Sequence, residues 1–280
     1  MIELKKLFTP VSSMDAAEAK EYRARHREGE YIILDVRQPW EYEESHLPGA
    51  RLIPLPQLAD AYRELDPGKP VIVHCAVGGR SRVAAQLLSG LGFKEVYNLT
   101  GGIKAFQGRK AAGPRELNLD LVRGDETPAE IITLAYGMER ALQLFYETLL
   151  ARTGDQEMKG LFADLAQVEK RHQERLQEQY RHMVPAGEAS LAPAQGAEIL
   201  EGGFKMQEFL EQNAAYLETV PQVLDLAMMV ETQALDLYLR FAGRCSQDAA
   251  REVLFGIAEE EKMHLASLGR LLEAKLQEGS

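Results

Sequence analysis

The chain has 280 residues, of which 45% are hydrophobic and 27% charged, ordinary values for a globular protein with enough apolar material for two cores. Its net charge of −11 is uneven: residues 1–110 carry a net +2 and residues 111–280 a net −13, which points to two domains and excludes nucleic acid as a partner of the acidic half. Two cysteines exclude a disulfide framework, and the absence of a signal-peptide pattern or an 18-residue apolar run predicts a cytoplasmic protein with no membrane segment.

The first half alternates strands and helices. Met14 to Arg27 reads as a charged amphipathic helix capped by Asp15 or Ser13. Tyr31 to Arg37 reads as a short buried strand ending in charge. His46-Leu47-Pro48-Gly49-Ala50 is a turn, Leu52-Ile53 a short strand, and Leu55 to Arg63 a helix. Pro70 to His74 is the strongest strand signal. It runs directly into Cys75-Ala76-Val77-Gly78-Gly79-Arg80, after which Ser81 to Ser89 reads as a helix stopped near Gly92. Val96 to Leu99 is a further strand, with a turn at Gly101-Gly102. This pattern predicts an α/β domain with a largely parallel sheet.

The Cys75 loop is a candidate nucleophilic centre. It lies between a strand and a helix N-terminus, and its two glycines let backbone amides turn inward. Such a nest binds anions and favours the thiolate, and Arg80 and Arg82 add positive charge. Ala76, Val77, Gly78, Gly79 and Arg80 would form the binding loop, with Cys75, Arg80 and Ser81 as catalytic candidates. Ser81 either caps the helix or hydrogen-bonds the sulfur.

Over residues 1–110 the chain resembles the rhodanese (sulfurtransferase) domains. The resemblance rests on Leu34-Asp35-Val36-Arg37, Glu41, His46 to Ala50, the Cys75–Ser81 loop and Asn98 to Ile103. Four residues separate Cys75 from Arg80, one fewer than in related dual-specificity phosphatases, and the tighter loop suits sulfur over phosphorus. Phe106 stands where that family usually has Trp. The resemblance implies that Cys75 takes sulfane sulfur from a small donor as a persulfide and passes it to an acceptor, with no cofactor. Asp35 and Arg37 are expected to hold the fold together.

Residues 111–126 read as a linker. Residues 127–280 then read as a four-helix bundle made of two related hairpins, because ionisable residues recur at an offset of about 92 positions. Glu169-Lys170-Arg171-His172 answers Glu261-Lys262-Met263-His264; Glu139 answers Glu231, Tyr146 answers Tyr238, and Thr127 answers Thr219 as a helix cap. Within each hairpin the two glutamates lie roughly 21–24 Å from the turn at 1.5 Å per residue, so they face one another. Phe162, Leu165, Glu169, His172 and Leu176 form one apolar stripe, and Leu254, Ile257, Glu261, His264 and Leu268 another. Val184 to Gly203 reads as an irregular crossover, followed by a short helix over Lys205 to Leu217, and Cys245 as a structural residue.

One Glu from each of two helices plus Glu-x-x-His from the other two is the arrangement that holds two metals through carboxylates. At this point the chain resembles the rubrerythrins and their ferritin-like relatives. The resemblance implies a di-iron site, two iron ions per chain about 3.5–4 Å apart, reacting with peroxide or oxygen. Glu139, Glu169, His172, Glu231, Glu261 and His264 would be its ligands; Tyr146 and Tyr238, two turns after Glu139 and Glu231 on the same face, either hydrogen-bond the ligand carboxylates or are core tyrosines. Many rubrerythrins carry another glutamate one turn after the ligand of the third helix, where Ala234 and Leu235 stand here, and a four-cysteine electron-transfer module, which this sequence lacks. An external electron donor and a homodimer are therefore expected. The alternative is an iron-binding, sensing or storage module with a rhodanese docking domain and no redox turnover. A further alternative is a purely structural metal site beside sulfur transfer.

Overall fold

The computed structural model describes residues 11–184, 191 and 199–278, which form two compact units divided between Leu117 and Asn118. The first unit is an α/β sandwich. Its elements are β1 (Ser12–Met14), α1 (Ala16–Arg25), β2 (Ile32–Asp35), α2 (Pro39–Glu44), β3 (Arg51–Leu52), α3 (Leu58–Ala61), β4 (Val71–His74), α4 (Gly79–Gly90), β5 (Val96–Leu99) and α5 (Gly102–Ala105). The sheet is five-stranded and parallel, in the order β1-β5-β4-β2-β3.

A parallel sheet buries both faces, and its strands here are apolar throughout. Ile32, Leu34, Val71 and Val73 meet Leu58, Ala84, Ala85 and Leu88 on one side. Ile33, Ile72 and Leu99 meet Ala19, Tyr42 and Ile103 on the other. β4 is central, so the chain leaves it at the carboxyl edge of the sheet, where ligand sites of open α/β sheets form.

Two local expectations change, and one helix was not foreseen. Ser12–Met14 is a parallel edge strand rather than the start of the helix, which begins at Ala16 under a capping box of Asp15 and Glu18. Pro39–Glu44 is a helix that starts on a proline, where the missing N–H costs nothing. Leu55 to Glu64 breaks into two 3-10 turns around the single turn of α3, because Pro54 and Pro56 remove amide donors at its start.

Arg37 is buried with Asp35, to which its Nε and Nη2 donate at 2.6–3.0 Å, and Nη2 also reaches the Ser45 carbonyl at 2.6 Å. This pair ties β2 to the end of α2, as expected of a structural ion pair. His46 and Ala111 form an antiparallel bridge, and the Gly113 amide donates to Glu43, so residues 111–113 lie against the first unit.

The second unit is helical: α6 (Pro128–Arg152), α7 (Gln156–Met183), α8 (Met206–Asn213), α9 (Val220–Arg244) and α10 (Asp248–Glu278). α6 pairs with α7 and α9 with α10, and further contacts join α6 to α10 and α7 to α9. Thr127 and Glu130 cap α6 reciprocally. At α9 the Thr219 hydroxyl accepts from the Gln222 amide, while the Gln222 side chain accepts from that hydroxyl instead of from the backbone. Most of the expected crossover falls outside the described residues; its end is a 3-10 turn at Glu201–Gly203. Among the described residues no helix is long and apolar enough to cross a membrane.

The bundle core is layered. One apolar cluster takes Ala141 to Leu149 of α6, Met158 to Ala166 of α7, Val220 to Val230 of α9 and Leu268 of α10. The other takes Ile131 to Met138 of α6, Leu176 of α7, Ala234 to Ala242 of α9 and Ala250 to Ala258 of α10. Glu139, Glu169, His172, Glu231, Glu261 and His264 occupy the gap between them on all four helices.

His74, at the end of β4, is fully buried, and that burial depresses its pKa to about 4. The unfolded chain binds a proton near pH 6.5 that the folded chain refuses until about pH 4, so stability falls as pH drops through this window. The expected loss is on the order of 3 kcal/mol. Denaturation of wild type and His74→Gln followed by fluorescence of Trp40, the single Trp, checks this: the variant should lose the slope between pH 6.5 and 4.

Candidate functional site

Two sites emerge, one in each unit. In the first, Cys75 leaves the end of β4 and is 1% exposed. Its loop turns through Gly78, at φ +98°, straight into α4 at Gly79. The Gly78 amide points inward and donates to Cys75 Sγ at 3.1 Å. The loop is stitched to α5: Ile103 and Lys104 amides donate to the Cys75 and Ala76 carbonyls at 2.8 and 3.2 Å. Gly102 makes this possible, because at φ +60° a Cβ would lie 2.3 Å from the Cys75 carbonyl oxygen.

Burial alone would raise the Cys75 thiol. It is outweighed by hydrogen bonds from the Ser81 hydroxyl and from the backbone amides of Ser81, Val77 and Gly78, which lower it. Ser81 Oγ lies 2.7 Å from Asn98 Oδ1 and 3.5 Å from Cys75 Sγ. Its one proton serves either acceptor, so Asn98 on β5 sets the hydroxyl's orientation. Ala76, Val77, Gly78 and Gly79 form the loop around the sulfur, with Val77 exposed at 63%.

Arg80, expected to add positive charge at the loop, interacts with the Cys75 sulfur while it is paired with an acid. Its two terminal nitrogens donate to Glu41 on α2 at 2.6 and 2.7 Å. Glu41 is correspondingly held at about 2, first by the Arg80 hydrogen bonds. The pair fixes the first turn of α4 to α2 across 39 residues of sequence.

In the second unit the two Glu–Glu–His sets come together as the repeat implied. Ligand-capable atoms of Glu139, Glu169 and His172 lie within 4.8 Å of one another, as do those of Glu231, Glu261 and His264. His172 Nδ1 is 3.3 Å from Glu139 and 3.2 Å from Glu169; His264 Nδ1 is 3.8 Å from Glu231 and 3.6 Å from Glu261. The two imidazoles stack at 3.7 Å, which joins the sets into one centre.

A third group was not foreseen. Glu201, from the 3-10 turn after the crossover, places an oxygen within 4.8 Å of those of Glu139 and Glu261. Glu201 is fully buried and accepts from the Tyr238 hydroxyl at 2.7 Å. Tyr238 was expected to bond a helix-borne ligand carboxylate, and bonds this residue instead. Tyr146 is buried but makes no hydrogen bond to these carboxylates.

So many acids in an apolar layer cannot all ionise unaided. Burial and then Glu201 and Glu169 drive Glu139 well above the usual carboxylate range. Burial and then Glu201 and Glu231 do the same to Glu261. Burial also opposes ionisation of Glu231, but a hydrogen bond from Glu261 and the facing His264 hold it low. Glu169, Glu201, Glu231 and Glu261 each keep one buried oxygen without a hydrogen-bond partner, and His264 Nδ1 is likewise unpaired. Orphaned buried acceptors cost several kcal/mol each unless a cation meets them, so these residues fit a pair of divalent metals.

Ser81→Ala should raise the Cys75 thiol and slow its alkylation several-fold at neutral pH. The check is the pH profile of iodoacetamide labelling read at the Cys75 peptide. An unchanged profile would mean that the backbone amides alone hold the thiolate.

Comparison with known proteins agrees with both halves. The rhodanese-like domain family matches residues 18–109 and the rubrerythrin family matches residues 93–180. A Bacillus subtilis protein, YqhL, of uncharacterised function, is 43% identical over 90 residues, 32% of this chain and 70% of its own length. The thiosulfate sulfurtransferase GlpE of Pseudomonas syringae is 37% identical over 81 residues, 29% of this chain and 76% of its own. The crystal structure of a rhodanese-like domain protein from Staphylococcus aureus aligns with 25% identity and a TM-score of 0.33, covering 35% of this chain and 94% of that one. The chain therefore belongs to the rhodanese-like family, and carries a rubrerythrin domain joined to its rhodanese-like domain.

Proposed function

We propose that the chain is a two-site sulfur and redox protein: a persulfide-forming sulfurtransferase at Cys75 and a carboxylate-bridged di-iron centre in the bundle. The observation that carries the second part is the gathering of two Glu–Glu–His sets into one buried layer between two apolar clusters.

At the first site the Cys75 thiolate attacks the outer sulfur of a donor such as thiosulfate. A sulfur–sulfur bond forms to Cys75, and sulfite leaves with the electron pair of the bond that breaks. The inner sulfur of the persulfide would keep the place of Cys75 Sγ, against the inward Gly78 amide and the Ser81 hydroxyl, and the loop dipoles would favour the negative charge on the outer sulfur. A nucleophilic acceptor takes the outer sulfur and returns the thiolate. The Glu41–Arg80 pair holds the loop in place rather than presenting a free cation to the donor.

At the second site Glu139, Glu169 and His172 would hold one metal, and Glu231, Glu261 and His264 the other. Bound iron would supply two-electron chemistry towards peroxide or oxygen. The chain's own contribution is a fixed donor set, four carboxylates to balance metal charge, and apolar layers that limit water. Two cysteines are too few for a four-cysteine electron-transfer module, so electrons would come from an external donor.

Two variants separate the sites. Cys75→Ser is expected to lose transfer from thiosulfate to cyanide by about a thousandfold or more while keeping its iron. Glu169→Ala is expected to keep sulfur transfer but lose iron from protein reconstituted without oxygen. Two irons per chain in Glu169→Ala would refute the ligand assignment, and full transfer by Cys75→Ser would refute the nucleophile.

A further inference from the structure

We infer that Glu201 is a seventh metal ligand, delivered by the turn that ends the crossover, and that it makes the two metal positions unequal. The inference rests on the di-metal reading above and adds a residue that lies outside its repeated ligand set.

Glu201 is 0% exposed, yet it sits in a turn rather than on a bundle helix. One of its oxygens accepts from Tyr238 at 2.7 Å. The other, Oε2, is buried with no hydrogen-bond partner, and no basic side chain pairs with Glu201 among the described residues. A tyrosine partner alone does not explain a carboxylate there, since a neutral amide would accept that bond without leaving a buried anion. A cation beside the orphaned oxygen does.

The turn is built to hold this placement. Gly202 and Gly203 adopt φ +77° and +81°, and a Cβ on Gly203 would lie 2.0 Å from the Asn118 side chain. Asn118 Nδ2 donates to the Gly202 carbonyl at 3.2 Å. Leu200 and Phe204 pair through a 2.7 Å backbone bond, and Leu200 is fully buried. The backbone is pinned on both sides of Glu201, so the carboxylate is presented to the centre by a fixed turn.

The placement faces both sets. Glu201 groups with Glu139 and Glu261, one acid from each hairpin. Helix repetition supplies each metal with a matching set, and Glu201 has no equivalent in the other hairpin: the offset of about 92 leads back to Arg109, in the first unit. A single carboxylate without a counterpart cannot serve both positions alike, so the two become unequal. Oxygen ligands added to one of two otherwise equal sites raise the affinity of that site for a divalent first-row cation.

The test is titration of the metal-free full chain with Co(II) at pH 7, followed by calorimetry and by the visible d–d absorption, with no assay of turnover. Wild type should take two ions per chain. Glu201→Gln, which keeps the volume and the Tyr238 acceptor, should weaken one ion at least tenfold and change its absorption while the other is retained. Tyr238→Phe, which keeps the carboxylate, should still take two ions. Far-UV circular dichroism of the metal-free variants checks folding, and Glu201→Asp, which retains the charge but shortens the reach, should also weaken a single ion. Two ions bound by Glu201→Gln with unchanged affinity and spectrum would overturn the inference and leave the di-metal reading standing. No Co(II) bound by wild type would overturn both.

Discussion

The bundle depends on one electrostatic constraint: five carboxylates and two imidazoles share a layer from which apolar side chains exclude water. Hydrocarbon above and below makes each unbalanced charge costly, and the acids lie too close to ionise independently. Everything around them serves to keep them there. Phe145, Phe162 and Leu224 close one side, Tyr238, Phe241 and Ile257 the other. This is a poor way to stabilise a protein and a good way to hold cations, which is why the arrangement reads as a site and not as a core.

The Cys75 loop solves the opposite problem with the opposite means. There a single anion is met first by neutral donors, the Gly78 amide and the Ser81 hydroxyl, and the Arg80 guanidinium, itself paired with Glu41, adds its attraction to the sulfur. Dipoles fixed by backbone geometry carry most of the stabilisation, so the sulfur can lose and regain its negative charge as its partner changes. The strand–loop–helix connection supplies the geometry, and Gly102 lets α5 close over its backbone.

Both centres were legible in the sequence where local spacing encodes them. The Glu-x-x-His pairs reveal a face because helical period places those residues on one stripe, and their repetition shows that the face is shared. Cys75 was legible because a strong apolar strand runs into a glycine loop. What escaped was long-range or weakly patterned. The Glu41 partner of Arg80 lies 39 residues away, and nothing in either residue's neighbours signals the pairing. Ser12–Met14 is too short to show an alternation, and it is a strand because β5 offers an open edge. Glu201 sits among glycines outside both hairpins, where no periodicity exists to say that it is buried. The sole hint was a partner for Tyr238, and the expected partner lay on a helix.

The division of the donor set between the two hairpins has a consequence for synthesis. The first hairpin, α6 and α7, leaves the ribosome well before α9 and α10 exist. Until then the apolar stripes beside Glu139, Glu169 and His172 have only each other to pack against. The second hairpin brings the missing walls and the missing charges together, so burial and assembly of the centre are one event. The half-bundle exposes apolar surface that the finished bundle covers, the kind of surface through which folding intermediates aggregate.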